Sequence, residues 1–385
     1  MDIETLNING MQVPICISVA YFYSESKLFL IDFDLIEKDL NKACKQLWNN
    51  FFNFIINNNE YFKNIFVHNL GSFDGYFIYK ELSNIFKPDE ISTIIDDKNK
   101  FIQIILKKDD FEIVWKDSYR IFPLSLDNLC ENFMVVGKIS KYDIRFNNLE
   151  FLKDNNLLNE FKKYAIQDSI CLLESLNSAQ NIYTSDYNTD ITSILSTSTL
   201  SLKIFRKMFL NFNIPVIKGW IDNFIRRAYL GGATDYYKVY GENLKLYDIN
   251  SLYPEGMKKP MPFQIIKNHK DLRNFKLEDF FGFCLAEVEC PTNIKIPLLP
   301  HKYENKTIFP TGKWVGVYFS EELKAVKPHG YKITLIRGFE FSKINLFDKY
   351  VDHFFEKKML QINLIDILLK CILINYMAIL EGNKN

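Results

Sequence analysis

The first 34 residues alternate apolar and polar side chains around two polar breaks, "NINGMQ" and "SESK", and a period of two predicts a meander of three strands. Residues 35–62 then switch to the i, i+3, i+4 spacing of a helix. "KNIFVHNL" reads as a strand, 73–83 as a helix, and "FIQIILKKDDFEIVWKDSYR" as two strands joined at paired aspartates. "SLDNLCENF" and "NEFKKYAIQDSICLLESLNSAQ" return to helical spacing. Strands first, with helices interleaved, imply an α/β domain over residues 1–185. The Ser/Thr-rich "YNTDITSILSTSTL" marks a boundary. Beyond it are expected a helix, "SLKIFRKMFLNF", a strand, "LKLYDINSLYP", a small separate unit with prolines and short strands at 262–345, and a last helix near 346–375.

Composition narrows the function classes. With 34 Phe and 21 Tyr among 385 residues the chain can bury a sizeable core and is not a disordered polymer. Lys plus Arg equals Asp plus Glu at 47 each, so overall charge gives no polyanion signal, although a basic groove and an acidic metal site can coexist in a neutral protein. The seven cysteines form no Cys-x-x-Cys pair, which argues against a zinc ribbon or a disulfide scaffold. The apolar run "ILLKCILINYMAIL" at 367–380 is too short for a membrane span and carries Lys370 and Asn375, so no membrane partner is expected. Abundant Asn, Ile and Lys point to an A/T-rich gene. In the Asn-rich tract at 49–59, Phe and Ile at helical spacing favour a packed helix over low complexity.

The chemistry sits in acidic residues. "VHNLGSFDGYFIYK" at 67–80 admits two readings: Asn69 and Asp74 cap the helix that follows, or Asp74 binds a metal while Asn69 and Phe73 hold a nucleotide. "DIET" places Asp2 and Glu4 two apart on a strand, so both face the same way. "YAIQDSI" sets Tyr164 and Asp168 one turn apart on a helix. Four converging carboxylates repel one another unless cations neutralise them. Two hard divalent cations there suit phosphodiester hydrolysis.

"DIET", "HNLGSFD" and "YAIQD", in that order, resemble the three exonuclease motifs of family B DNA polymerases, and "HNLGSFDGYFI" is most similar to the protein-primed branch of phages and mitochondrial linear plasmids. The resemblance implies a ribonuclease-H-like 3′–5′ exonuclease domain in which Asp2, Glu4, Asp74 and Asp168 bind Mg²⁺ or Mn²⁺. It also implies that Tyr164 orients the attacking water and that Asn69 and Phe73 hold a single-stranded 3′ end. "SLDNL" resembles the branch's single-strand ligand, implying DNA contacts from Ser125 and Leu126, and "KYDI" resembles its lysine element, implying a catalytic role for Lys141.

"YDINSLYP" at 247–254 resembles polymerase motif A. That implies a partial α+β palm at 241–385 in which Asp248 binds metal with an incoming deoxynucleoside triphosphate, Ser251 and Leu252 line the triphosphate path, and Tyr253 excludes a ribose 2′-OH. "YLGG" resembles the branch's Tyr-x-Gly-Gly motif, implying DNA contacts from Tyr229, Gly231 and Gly232 in a linker at 186–240. Residues 262–345 fall where the branch carries an insertion that meets the terminal protein primer and DNA. The expected partners are therefore single-stranded and primer-template DNA, deoxynucleotides and a terminal protein, in a mitochondrial setting.

After Asp248 the sequence holds no Asp-Thr-Asp turn, and no Lys-plus-Asn-x-x-Tyr-Gly fingers element is present. If Leu373–Ala378 are spelled with A/T-rich codons, a shifted frame reads Asn-Lys-Leu-Tyr-Gly, with Lys370 at the family spacing once one base is restored. The expectation is a truncated or frameshifted polymerase copy ending in a truncated fingers helix. An exonuclease-only protein and an inactive DNA-binding remnant are the alternatives.

Overall fold

The computed structural model describes residues 1–21, 25–109, 111–137, 143–232, 237–304 and 306–359. It divides into two units, Met1–Met208 with the segment from Phe354, and Phe209–His353.

The first unit opens with the meander: β1 (Asp2–Ile8), β2 (Met11–Tyr21) and β3 (Glu25–Leu30), antiparallel in the order β1-β2-β3. Asp2 faces Ser18 and Glu4 faces Cys16 across the β1–β2 ladder. From Val13 to Val19, β2 is buried without a break, as a central strand covered on both faces must be. After a short turn of helix, α1 (Phe33–Ile36), α2 (Leu40–Asn57) starts at Asp39, whose carboxylate accepts from the Lys42 N–H. It buries Ala43, Leu47, Trp48, Phe51, Phe52 and Ile55 and turns Asn49, Asn50, Asn53 and Asn57 outward. The Asn-rich tract is thus the wet face of a packed helix.

A second sheet runs β4 (Asn64–Val67), β7 (Phe111–Asp117), β6 (Phe101–Lys108), β5 (Ile91–Ile95), with β4 parallel to β7 and the other pairs antiparallel. The Met1 nitrogen donates to the Phe66 carbonyl at 3.0 Å, which sets the start of β1 beside β4. The helices α3 (Asp74–Ile85), α4 (Ser118–Ile121), α5 (Leu126–Asn132), α6 (Asn155–Tyr187) and α7 (Thr197–Ile204) complete the unit. Asp154 caps α6 by accepting from the N–H groups of Asn156 and Leu157. Residues 186–208 pack on the same body, with Thr197 Oγ1 donating to the Ile121 carbonyl at 2.8 Å and Lys116 Nζ donating to the Thr192 carbonyl.

The second unit holds α8 (Trp220–Arg226), α9 (Leu252–Met257) and an antiparallel sheet. Its strands are β8 (Met261–His269), β9 (Gly282–Cys290), β12 (Gly312–Phe319) and β13 (Lys332–Ile344), in the order β12-β9-β13-β8, beside a small hairpin of β10 (His301–Tyr303) and β11 (Lys306–Ile308). They are longer than the short strands expected. Alternate residues of β9, Cys284, Ala286, Val288 and Cys290, pack with Tyr318, Leu323, Tyr331 and Leu335 under α10 (Ser320–Val326). Phe281, Phe339 and Phe341 pack with Phe224 of α8. The final described helix is α11 (Asp348–Met359), and the shifted-frame reading of 371–378 lies outside the described residues.

One element departs from expectation. "LKLYD" is not a strand: residues 244–249 form no regular element and are exposed throughout. A strand exists by pairing, and among the described residues nothing pairs with this segment.

Candidate active site

The meander and α6 build the site together. Asp2, Glu4 and Asp168 bring one carboxylate oxygen each to within 4.8 Å of one another. The ladder explains how. Ser18 lies opposite Asp2, and its Oγ is 2.7 Å from the Oγ of Ser169, which also donates to the Ser18 carbonyl at 3.1 Å. This buried pair fastens α6 to β2 one residue from Asp168, and neither serine was signalled by the sequence because the contact spans 151 residues.

Asp74 comes in from the start of α3, after the loop that follows β4. It is the first residue of α3 and only 5% exposed. Burial, then the charge of Asp2, pushes its carboxyl well above the usual range, and hydrogen bonds from its own and the Ile3 backbone draw it partly back. Its Oδ1 is buried without a hydrogen-bond partner among the described residues. A buried, unsatisfied carboxylate oxygen next to the Asp2 charge is costly unless a cation completes it, and an all-oxygen donor set fits a hard divalent ion. The thiol of Cys16, opposite Glu4, is likewise raised by burial and by the charges of Glu4 and Asp2.

The helix-capping reading of the 67–80 loop does not survive. Asn69 and Phe73 occupy the N-cap positions of the 3-10 turn at Leu70–Ser72 and of α3, and neither makes a side-chain cap bond; Asp74 is already inside α3. Asn69 adopts φ 69°, a left-handed conformation that asparagine tolerates. Phe73 is 39% exposed, edge-on to Phe77 at 5.2 Å. His68 braces the loop: Nε2 donates to the Leu124 carbonyl at 2.9 Å and Nδ1 lies 3.1 Å from Ser118 Oγ. Sequence reasoning missed Ser118 and Asp117, which stand behind this loop.

The other named residues are placed as follows. Tyr164 is half-buried one turn before Asp168, its ring 6.3 Å from that of Phe146. Ser125 caps α5 by accepting from the Asn128 N–H at 3.3 Å, and Leu126 begins that helix. Lys141 lies outside the described residues. Tyr229 is half-buried, and Gly231 and Gly232 are exposed after α8, where Arg226 is already paired with Asp222 at 2.7 Å. Asp248 is exposed and joins no acidic cluster among the described residues. Ser251, at φ 55°, precedes α9, which starts at Leu252 and Tyr253, both exposed, with Pro254 buried in its first turn rather than breaking it. No helix among the described residues is long and apolar enough to cross a membrane.

The acids thus come from one strand and two helices, Asp2 and Glu4 on β1, Asp74 at the start of α3 and Asp168 on α6, and comparison with known proteins gives the class of the chain. The family model for "DNA polymerase type B, organellar and viral" matches residues 55–153 and 139–362. The chain belongs to that family. It is 34% identical over 305 residues to a probable DNA polymerase of Podospora anserina, covering 70% of this chain and 25% of that one. It is 30% identical over 411 residues to one of Ascobolus immersus, covering 93% and 33%. The fold is similar to Phi29 DNA polymerase solved with primer-template DNA and incoming nucleotides, with a TM-score of 0.69 and 16% identity over 96% of this chain and 66% of that one. The chain therefore spans a quarter to a third of the two curated relatives.

Proposed function

We propose that the chain is a DNA-directed DNA polymerase of the protein-primed kind, with a ribonuclease-H-like 3′–5′ exonuclease in its first unit and, in its second, a polymerase palm carrying motif A and an inserted subdomain. The observation that carries the exonuclease is the cluster of Asp2, Glu4 and Asp168, with the buried, unsatisfied Asp74 next to the Asp2 charge. The meander beside β4, and β4 parallel to β7, support the ribonuclease-H-like assignment.

Mg²⁺ or Mn²⁺ held by these four carboxylates would supply an activated water and charge stabilisation for phosphodiester cleavage. The chain's own residues do the rest. Asn69 offers an amide and Phe73 an open ring face at the loop leading to Asp74, which suits a single-stranded 3′ terminus. Tyr164 brings a phenol one turn from Asp168 to orient water. On the palm side, exposed Asp248 and Tyr253 are the metal ligand and the sugar discriminator for an incoming deoxynucleotide, and the sheet of β8–β13 is the region to meet a terminal protein. The family's description as organellar and viral supports an organellar setting, and within it we assign replication of a linear plasmid in mitochondria.

The test is Mg²⁺-dependent shortening of a labelled single-stranded oligonucleotide, run beside extension of a primed template with deoxynucleotides. Shortening from the 3′ end establishes the exonuclease, and extension that depends on Asp248 establishes the palm. Absence of both defeats the reading. Phe73→Ala is expected to weaken single-strand binding about 5- to 150-fold, the loss of one base-stacking platform worth about 1–3 kcal/mol. Fluorescence anisotropy with labelled oligonucleotide measures it, and an unchanged Kd removes Phe73 from the site.

A further inference from the structure

The loop carrying Asn69 and Phe73 is held from behind by a carboxylate outside the metal-binding cluster. Asp117 ends β7, directly opposite Val67 in the parallel β4–β7 ladder, and is 4% exposed. Its Oδ1 accepts from the N–H of Asn69 at 2.9 Å and of Tyr119 at 3.0 Å, and its Oδ2 accepts from the N–H of Gly71 at 3.2 Å. The Asn69 and Gly71 N–H groups belong to a loop that has left the sheet, so Asp117 takes the place of the missing ladder partner, while the Tyr119 bond makes it the N-cap of α4. The far side of the loop is fixed by contact: a Cβ on Gly71 would stand 2.5 Å from the Phe101 carbonyl oxygen. Between these two walls the left-handed turn at Asn69 has little freedom, and Phe73 and Asp74 follow within five residues.

We propose that Asp117 is a positioning residue for the single-stranded 3′ end: it touches neither DNA nor metal, and it fixes the backbone that presents Asn69 and Phe73. The inference rests on the exonuclease reading above. A carboxylate suits the task because it accepts from three N–H groups that converge from both flanks, which a hydroxyl or a single amide oxygen does not match.

The experiment compares Asp117→Ala and Asp117→Asn in the full chain, by anisotropy of labelled single-stranded DNA in EDTA and by cleavage kinetics in Mg²⁺. Asp117→Ala is expected to raise Kd and KM about tenfold with kcat within about twofold, because positioning of bound DNA is lost while the carboxylate cluster is kept. Asp117→Asn keeps one oxygen for Asn69 and Tyr119 and loses the Gly71 bond, so it falls between wild type and alanine. In an Asn69→Ala/Phe73→Ala background the further effect of Asp117→Ala disappears, since it acts through those residues. An Asp117→Ala protein that only melts lower, with wild-type Kd and KM, overturns the proposal, as does a penalty undiminished in the double background. If Asp117→Ala does not fold, Asp117→Asn decides by the same readings. A wild-type chain that neither cleaves nor binds single strands overturns the exonuclease reading and this inference with it.

Discussion

On the proposed exonuclease reading, Asp74→Ala is expected to lower Mg²⁺-dependent removal of 3′ nucleotides by on the order of 10²–10³-fold, the size of effect that follows loss of one preorganised electrostatic group. In the metal-free protein the charge of Asp74 is no asset to the fold. Asp74 is buried, next to the Asp2 charge, with one oxygen unsatisfied, so its ionised form is a liability until a cation arrives. The isosteric Asp74→Asn is therefore expected to melt above wild type in EDTA, while showing the same catalytic loss. A catalytic variant that unfolds would instead lose activity and stability together, and calorimetry beside the oligonucleotide assay separates the two cases.

The pH dependence follows in sign. The folded-state pKa of Asp74 lies above its unfolded value, so the folded metal-free protein binds the extra proton. Stability then falls as pH rises from the ordinary carboxylate range through the raised folded value, and recovers on acidification. Asp117, also raised by burial, contributes with the same sign. The part due to Asp74 is the difference between wild type and Asp74→Asn, which shrinks toward low pH. A bound divalent cation reverses the trend, because it selects the ionised carboxylates and so stabilises more as pH rises.

The elements that could be read from sequence alone were those whose evidence is local. Period-two alternation over 1–34 and helical spacing around Tyr164 and Asp168 signalled the strand and helix that bear the acids. The structure places three of those acids within 4.8 Å of one another. What stayed hidden depends on distant partners. The Ser18–Ser169 contact joins residues 151 apart, and Asp117 looked like one more polar residue at a strand end. The edge strand β5 escaped because Ser92, Thr93, Ile94 and Ile95 are all exposed, so it carries no burial pattern to detect. The reverse failure occurred at 244–249, where apolar alternation suggested a strand that no neighbour pairs with. Helix capping and single-strand contact share a sequence signature, a Ser or Asn before a hydrophobic run. Hence Ser125 turned up as a cap, and Asn69, for which capping was a reading, makes no side-chain cap bond.

The second large effect lies behind the site. Trp48→Ala is expected to destabilise the first unit by about 3–5 kcal/mol, the usual cost of emptying a buried aromatic site. Trp48 is 1% exposed, stacked on Phe52 at 5.4 Å and edge-on to Phe51 at 5.9 Å. It belongs to the same core as Ile3 between the β1 acids, Leu70 in the loop and Ala165 beside Tyr164. The three segments that bear the carboxylates therefore share one hydrophobic support, and their convergence is a property of that core rather than of any bond among the acids, which repel. Melting should fall by on the order of 10 °C. At temperatures where the variant stays folded, its KM and kcat on single strands should remain close to wild type, with heat inactivation tracking the lowered melting point. A Trp48→Ala protein that is stable yet catalytically slow would show that the acids are aligned by contacts nearer the site than the aromatic core.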